Sequence, residues 1–143
     1  MADVDLQESP LQLGVKFLKY DVAGVIGRGG FAWVYRGHDS FMGRDVAIKI
    51  LHRKGGVTDD MLRRGQAEAK LLSRLRHSNI VEIYDAGVSE QNLLYIIMEL
   101  LVGRSLSSAL HELGQLTLGE GLPLFLEIAD AFETAHRMGA IHR

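Results

Sequence analysis

The 143-residue sequence has no cysteine, so disulfides and thiolate metal sites are excluded outright. Its six histidines, His38, His52, His77, His111, His136 and His142, include no pair spaced by one helical turn, so no short-spaced imidazole metal motif is present. Long apolar runs are also missing. The longest, Leu93 to Met98, falls far short of the roughly 20 residues of a membrane span. The opening MADVDLQESP is acidic and lacks the basic-then-apolar order of a signal peptide. A cytoplasmic location is expected, although an anchor further downstream would not be visible here. No excess of one charge exists either: 16 basic residues stand against 18 acidic ones, a net charge of −2. That balance gives no electrostatic reason to expect nucleic acid or an anionic membrane as partner. What remains is 47% hydrophobic and 24% charged, an ordinary soluble composition. The length suits one domain with a real core and is short for two.

Residues 1–18 read as a leader. From Lys19 the pattern becomes strand-like. Tyr20 to Ile26 and Phe31 to Arg36 flank the turn Gly27-Arg28-Gly29-Gly30, which reads as a hairpin. Phe41 to Arg44 turns the chain into a third strand, Asp45 to Leu51. A helix is expected next, capped by Thr58, with Asp59 and Asp60 at its positive end and Arg74 and Arg76 at its negative end. Leu62, Ala69, Leu72 and Leu75 give that helix an apolar stripe. Two more strands follow, Ile80 to Val88 and Leu93 to Leu100. Ser105 caps a short helix that Gly114 ends. A last helix runs to about Met138. Thr117 and Glu120 form a capping-box pattern, but Pro123 would then lie inside the helix, so a start near Leu122 is predicted. Five strands with one helix among them, then helices, is an α+β order.

Three features carry chemistry. The first is Gly27-Arg28-Gly29-Gly30-Phe31-Ala32-Trp33-Val34. Glycines there let main-chain N–H groups approach phosphate oxygens with no Cβ in the way. A dinucleotide fingerprint also fits as Gly27-x-Gly29-x-x-Ala32, but it needs a helix to open at the turn, and Phe31 to Arg36 is strand-like. A Walker-type loop is absent, since no lysine follows at the required place. The second feature is Val46-Ala47-Ile48-Lys49-Ile50. On a strand Ala47 and Lys49 share one face, and a lysine within an apolar strand needs an anion or a route to water. The third is Glu68, which helical spacing places in the stripe of Leu72 and Leu75. A carboxylate buried there needs a cation, and Lys49 is the obvious one.

In this order the features resemble the eukaryotic-type protein kinases, whose signature is a glycine loop ending in valine, then VAIK, then a helical glutamate. Arg76-His77-Ser78-Asn79-Ile80-Val81 resembles the family's RHPNIV stretch, Leu94 to Leu100 the strand into the hinge, and His136 to Arg143 the approach to the catalytic loop. The texture is most similar to the bacterial Ser/Thr kinases, from about Lys19 to the last residue. The resemblance implies a small lobe with hinge at 19–101, a five-stranded antiparallel sheet plus one helix, and the first helices of an incomplete large lobe at 102–143. It also implies ATP as cofactor and a protein substrate. Ile26, Gly27, Arg28, Gly29, Gly30, Phe31 and Ala32 would cover the ATP phosphates. Lys49 would hold the α- and β-phosphates, positioned by Glu68. Val34 and Ala47 would sandwich adenine, Met98 would be the gatekeeper, and Glu99 and Leu101 would offer hinge backbone groups.

Ala32 replaces the third loop glycine and Ser78 the usual proline, both mild departures. The sequence stops at Arg143, where His142 and Arg143 would be the first two members of His-Arg-Asp. The catalytic aspartate, the metal-holding asparagine and DFG, and most of the helical lobe lie outside it. Magnesium is therefore expected only in a full-length parent, and this chain alone is expected to be inactive and to expose apolar surface on its last helix. The alternative from another class is a non-catalytic, kinase-like binding or scaffold module.

Overall fold

Burial alternates most clearly along residues 32–39, as their sequence dictates. In the computed structural model, which describes residues 9–30, 32–51, 63, 70 and 73–140, Trp33, Tyr35, Gly37 and Asp39 of one strand point inward between more exposed neighbours. Six strands form one antiparallel sheet: β1 (Lys16–Phe17), β2 (Tyr20–Arg28), β3 (Ala32–Asp39), β4 (Arg44–Leu51), β5 (Ile83–Val88) and β6 (Leu94–Glu99). Their order in the sheet is β1-β2-β3-β4-β6-β5. The expected α+β class stands, with one more strand than the five predicted. The extra strand, β1, lies inside the stretch read as a leader, and Leu11 and Phe17 from that stretch are buried in the core. Leu11, Leu13, Val15 and Phe17 alternate with Gln12, Gly14 and Lys16, a period-two signal that the leader reading passed over.

The helix expected between Thr58 and Arg76, with Leu62, Ala69 and Leu72 of its stripe, lies mainly outside the described residues, as do Phe31, Glu68, His142 and Arg143.

The core sits on one face of the sheet. Tyr35, Ile48 and Ile97 are directly opposite one another across β3, β4 and β6, and each is fully buried. Val46, Ile50, Trp33 and Tyr95 extend the same layer. Gly37 is required here by packing, since a Cβ on it would come within 2.5 Å of Ile48 Cδ1.

Asp39 is the buried charge of this region. One carboxylate oxygen accepts from the N–H groups of Phe41 (3.2 Å) and Met42 (3.1 Å), shaping the β3–β4 turn. The other lies 2.8 Å from the Lys19 ammonium. The hydrogen bond from Lys19 holds the Asp39 carboxyl below the ordinary carboxylate range, against the opposing push of burial. Asp45, beside Arg36 and His38, and Asp21, beside Lys16 and Ser40, are lowered in the same direction. A carboxyl depressed in the folded state stabilises the fold above its unfolded pKa, and that contribution is lost as pH falls through the folded pKa. Urea midpoints should therefore drop on acidification below about pH 4. Asp39→Asn should start from a lower midpoint and fall less steeply; a curve parallel to wild type would show that Asp39 is not among the groups responsible.

Helix α1 (Leu106–Leu113) begins as predicted, with Ser105 Oγ accepting from Ser108 N at 3.0 Å. It ends at Gly114, whose φ of 77° suits glycine and whose N–H reaches the Leu110 carbonyl at 2.8 Å. Helix α2 (Leu118–Arg137) corrects the predicted start near Leu122. The capping box prevails: Thr117 N donates to Glu120 Oε2 at 2.9 Å, and Glu120 N donates to Thr117 Oγ1 at 3.3 Å. Pro123 then lies inside the helix. Its missing N–H deprives only the carbonyl of Gly119, an exposed residue in the first turn that water can reach. Leu118, Leu122, Phe125, Leu126 and Phe132 of α2 are all exposed, matching the apolar surface expected there.

Candidate nucleotide site

The β2–β3 hairpin carries the glycine-rich turn at its tip. Gly27 faces Val34 and Arg28 faces Trp33 across the two strands, and Gly29 N donates to the Ala32 carbonyl at 2.8 Å to close the turn. Irregularities in the β2 register fall between Val22 and Gly24 and between Val25 and Gly27. The second leaves Ile26 as the extra residue, half-exposed at the mouth of the turn.

Gly27, Gly29 and Gly30, like Gly24 and Gly119, are required neither by a left-handed backbone nor by packing. None of them is left-handed, unlike Gly43 and Gly114. None is needed for packing, unlike Gly37, because among described residues an added Cβ meets nothing closer than the Ala32 carbonyl at 3.7 Å from Gly29. The space above these backbones is open, which is what close approach by a phosphate requires.

β4 supplies the next part. Lys49 lies opposite Val34 on β3 and Ile96 on β6, while Ala47 lies opposite Met98. Side chains two apart on a strand, and those directly opposite across strands, share a face. Val34, Ala47, Lys49, Ile96 and Met98 therefore form one patch on the face away from Tyr35, Ile48 and Ile97. Four of these five were picked out from the sequence. Ile96 was not, although its parity with Met98 on a single strand would have shown it. Glu99 is the last residue of β6, and its N–H donates to the Glu82 carbonyl at 2.9 Å. Leu101, just beyond, is exposed as the chain leaves the sheet. Glu68, predicted to pair with Lys49, lies outside the described residues.

Among the described residues no group of three or more His, Asp or Glu side chains is placed to hold a metal ion. None of the described helices is long and apolar enough to cross a membrane.

A glycine-rich hairpin over a strand lysine, on a sheet that leads by an exposed segment into helices, is the arrangement of a protein kinase small lobe. The chain matches the protein kinase domain family over residues 20–143, and it belongs to that family. Among curated proteins it is 39% identical over 135 residues to the probable serine/threonine-protein kinase PknB of Lactococcus lactis, covering 93% of this chain and 21% of that protein. It is 38% identical over 125 residues to the serine/threonine-protein kinase PrkC of Bacillus subtilis, covering 87% of this chain and 19% of that one. The kinase domain of Mycobacterium tuberculosis PknI superposes with a TM-score of 0.82 at 29% identity, over 93% of this chain and 54% of that one. The chain thus spans about a fifth of the length of these curated relatives.

Proposed function

We propose that the chain is the ATP-binding part of a Ser/Thr protein kinase that transfers the ATP γ-phosphate to protein hydroxyls. The observation that carries this reading is the shared face of Val34, Ala47, Lys49 and Met98 beneath a glycine turn whose backbone is open to a ligand. The kinases among its relatives support it.

In this reading Ile26 and the residues from Gly27 to Ala32, with Arg28, Gly29, Gly30 and Phe31 between them, cover the phosphates with main-chain N–H groups. The Lys49 ammonium meets the α- and β-phosphates, and Glu68 orients it. Val34 and Ala47 contact the adenine face, Met98 closes the back of the pocket, and the backbone at Glu99 and Leu101 addresses the adenine edge. ATP supplies the transferable phosphoryl group; the protein's part is to position it and stabilise its charge. Magnesium belongs to ligands not found among these 143 residues, which lack a DFG sequence. The isolated chain accordingly binds ATP without transferring phosphate. Its acceptor is protein rather than nucleic acid, in keeping with a net charge of −2, and ATP chemistry of this kind is cytoplasmic.

The test is calorimetric titration of the chain with ATP, paired with a phosphate-transfer assay on a chain that continues through the large lobe. Binding and transfer that both disappear on Lys49→Met support the reading. Binding indifferent to that change sinks it.

A further inference from the structure

The glycine turn is fastened at its base by residues that the nucleotide reading does not explain. Arg28 and Trp33 form the last cross-strand pair before the turn. The Arg28 guanidinium lies over the Trp33 ring, 4.7 Å from its centroid. Trp33 is almost wholly buried and stacks on Tyr35, with ring centroids 6.1 Å apart and planes 14° from parallel. The Tyr35 hydroxyl is in turn held by Ser9 Oγ at 2.7 Å and by Leu11 N, which donates to it at 3.3 Å. A continuous column thus runs from the N-terminal segment, through two rings on the core face, to the turn.

Arg28 is exposed, and an exposed arginine beside a phosphate site has two possible uses. It can reach the phosphate directly, or it can fix the backbone that does so. The geometry favours the second, since its guanidinium is already seated on a ring that packing holds immobile. A hairpin whose base is anchored this way loses less freedom when its tip closes on a ligand.

We propose that Arg28 is a positioning residue for the nucleotide: its guanidinium clasps Trp33 and so holds the glycine-rich turn over the phosphates. The proposal rests on the nucleotide-site reading above. Trp33, the single tryptophan of the chain, also becomes a built-in reporter of the turn.

The experiment is ATP titration of the whole chain by calorimetry and by tryptophan emission, in wild type, Arg28→Ala, Arg28→Lys, Trp33→Leu, the Arg28→Ala/Trp33→Leu double variant and Lys49→Met. Arg28→Ala and Trp33→Leu should each weaken ATP binding by about two- to fivefold, the range of a cation–π contact. The double variant should be no worse than the weaker single, because both remove the same contact. Arg28→Lys should keep most of the affinity, and ATP should shift Trp33 emission in wild type and Arg28→Lys but not in Arg28→Ala. Additive losses, or a loss on Arg28→Ala with Trp33→Leu unaffected, would overturn the clasp and assign Arg28 to direct phosphate contact. If Trp33→Leu does not fold, the Arg28 variants and the emission spectrum decide, and emission in Arg28→Ala that still responds to ATP overturns the proposal. Lys49→Met separates the two claims. No ATP binding by wild type, or equal binding by Lys49→Met, defeats the site reading and the clasp with it. Binding that needs Lys49 but ignores Arg28→Ala defeats the clasp alone.

Discussion

Lys49→Met should abolish measurable ATP binding by the chain while leaving its thermal midpoint nearly unchanged. Lys49 is half-buried in a strand whose other face is core, and its register puts its stem on the face of Val34, Ala47, Ile96 and Met98. Methionine keeps most of the length and apolar contact of the lysine stem and removes only the charge. A charge-assisted contact to phosphate, in a site partly shielded from water, is worth far more than a surface ion pair. In a chain that continues through the large lobe, the same change should lower phosphate transfer by about a hundredfold or more, the order seen when one preorganised stabilising group is lost. A large fall in thermal midpoint would instead identify Lys49 as a structural residue.

Its neighbour should behave in the opposite way. Ile48→Ala should destabilise the fold by about 2–5 kcal/mol, the usual range for truncating a large aliphatic side chain in a core. Ile48 is fully buried, lies between Tyr35 and Ile97 in the sheet, and also fills the space that Gly37 leaves. Rigid strands on both sides leave little scope for collapse around the gap, so the loss should fall in the upper half of that range. Against a total stability of about 5–15 kcal/mol, this is a large fraction. Urea denaturation followed by circular dichroism measures it, and a loss below about 1 kcal/mol would mean that the core repacks around the missing atoms. The two adjacent residues should thus separate the two faces of β4, with ligand affinity expected on one and stability on the other.

Much of this division was legible before the structure. Val46-Ala47-Ile48-Lys49-Ile50 can be a strand only with Ile48 and Lys49 on opposite faces, and the register confirms that placement. Ser105, Gly114 and the hairpin strands were readable for the same reason, because their signals are local. What was not legible depends on long-range partners. The alternation from Leu11 to Phe17 was legible, but β1 and Leu11 become part of the sheet and core only because Tyr20, Tyr35 and Tyr95 provide a surface for them. The start of α2 turned on whether one proline outweighs a reciprocal cap, a balance decided by how exposed the affected carbonyl is. Lys49's face was predictable, and so was Ile96's from its parity with Met98, whereas the placing of Ile96 opposite Lys49 needed the pairing of β4 with β6. Trp33 read as an ordinary strand aromatic until the ring beneath it and the guanidinium above it were seen together.

The strand order has a consequence for how the chain reaches this state. β2, β3 and β4 form one meander and β5 with β6 a second hairpin, each from segments close in sequence. Among the described strands one long-range seam, running from Val46 opposite Glu99 to Leu51 opposite Leu94, joins them. Closing a long loop delays such a pairing, so the seam should zip last. Val34, Ala47 and Lys49 lie on one side of it and Met98 and Glu99 on the other. A nucleotide held by both sides would fasten a junction that is still unmade at the folding barrier. It should therefore slow unfolding in proportion to occupancy while leaving the refolding rate almost untouched, a split that stopped-flow kinetics with and without ATP would reveal.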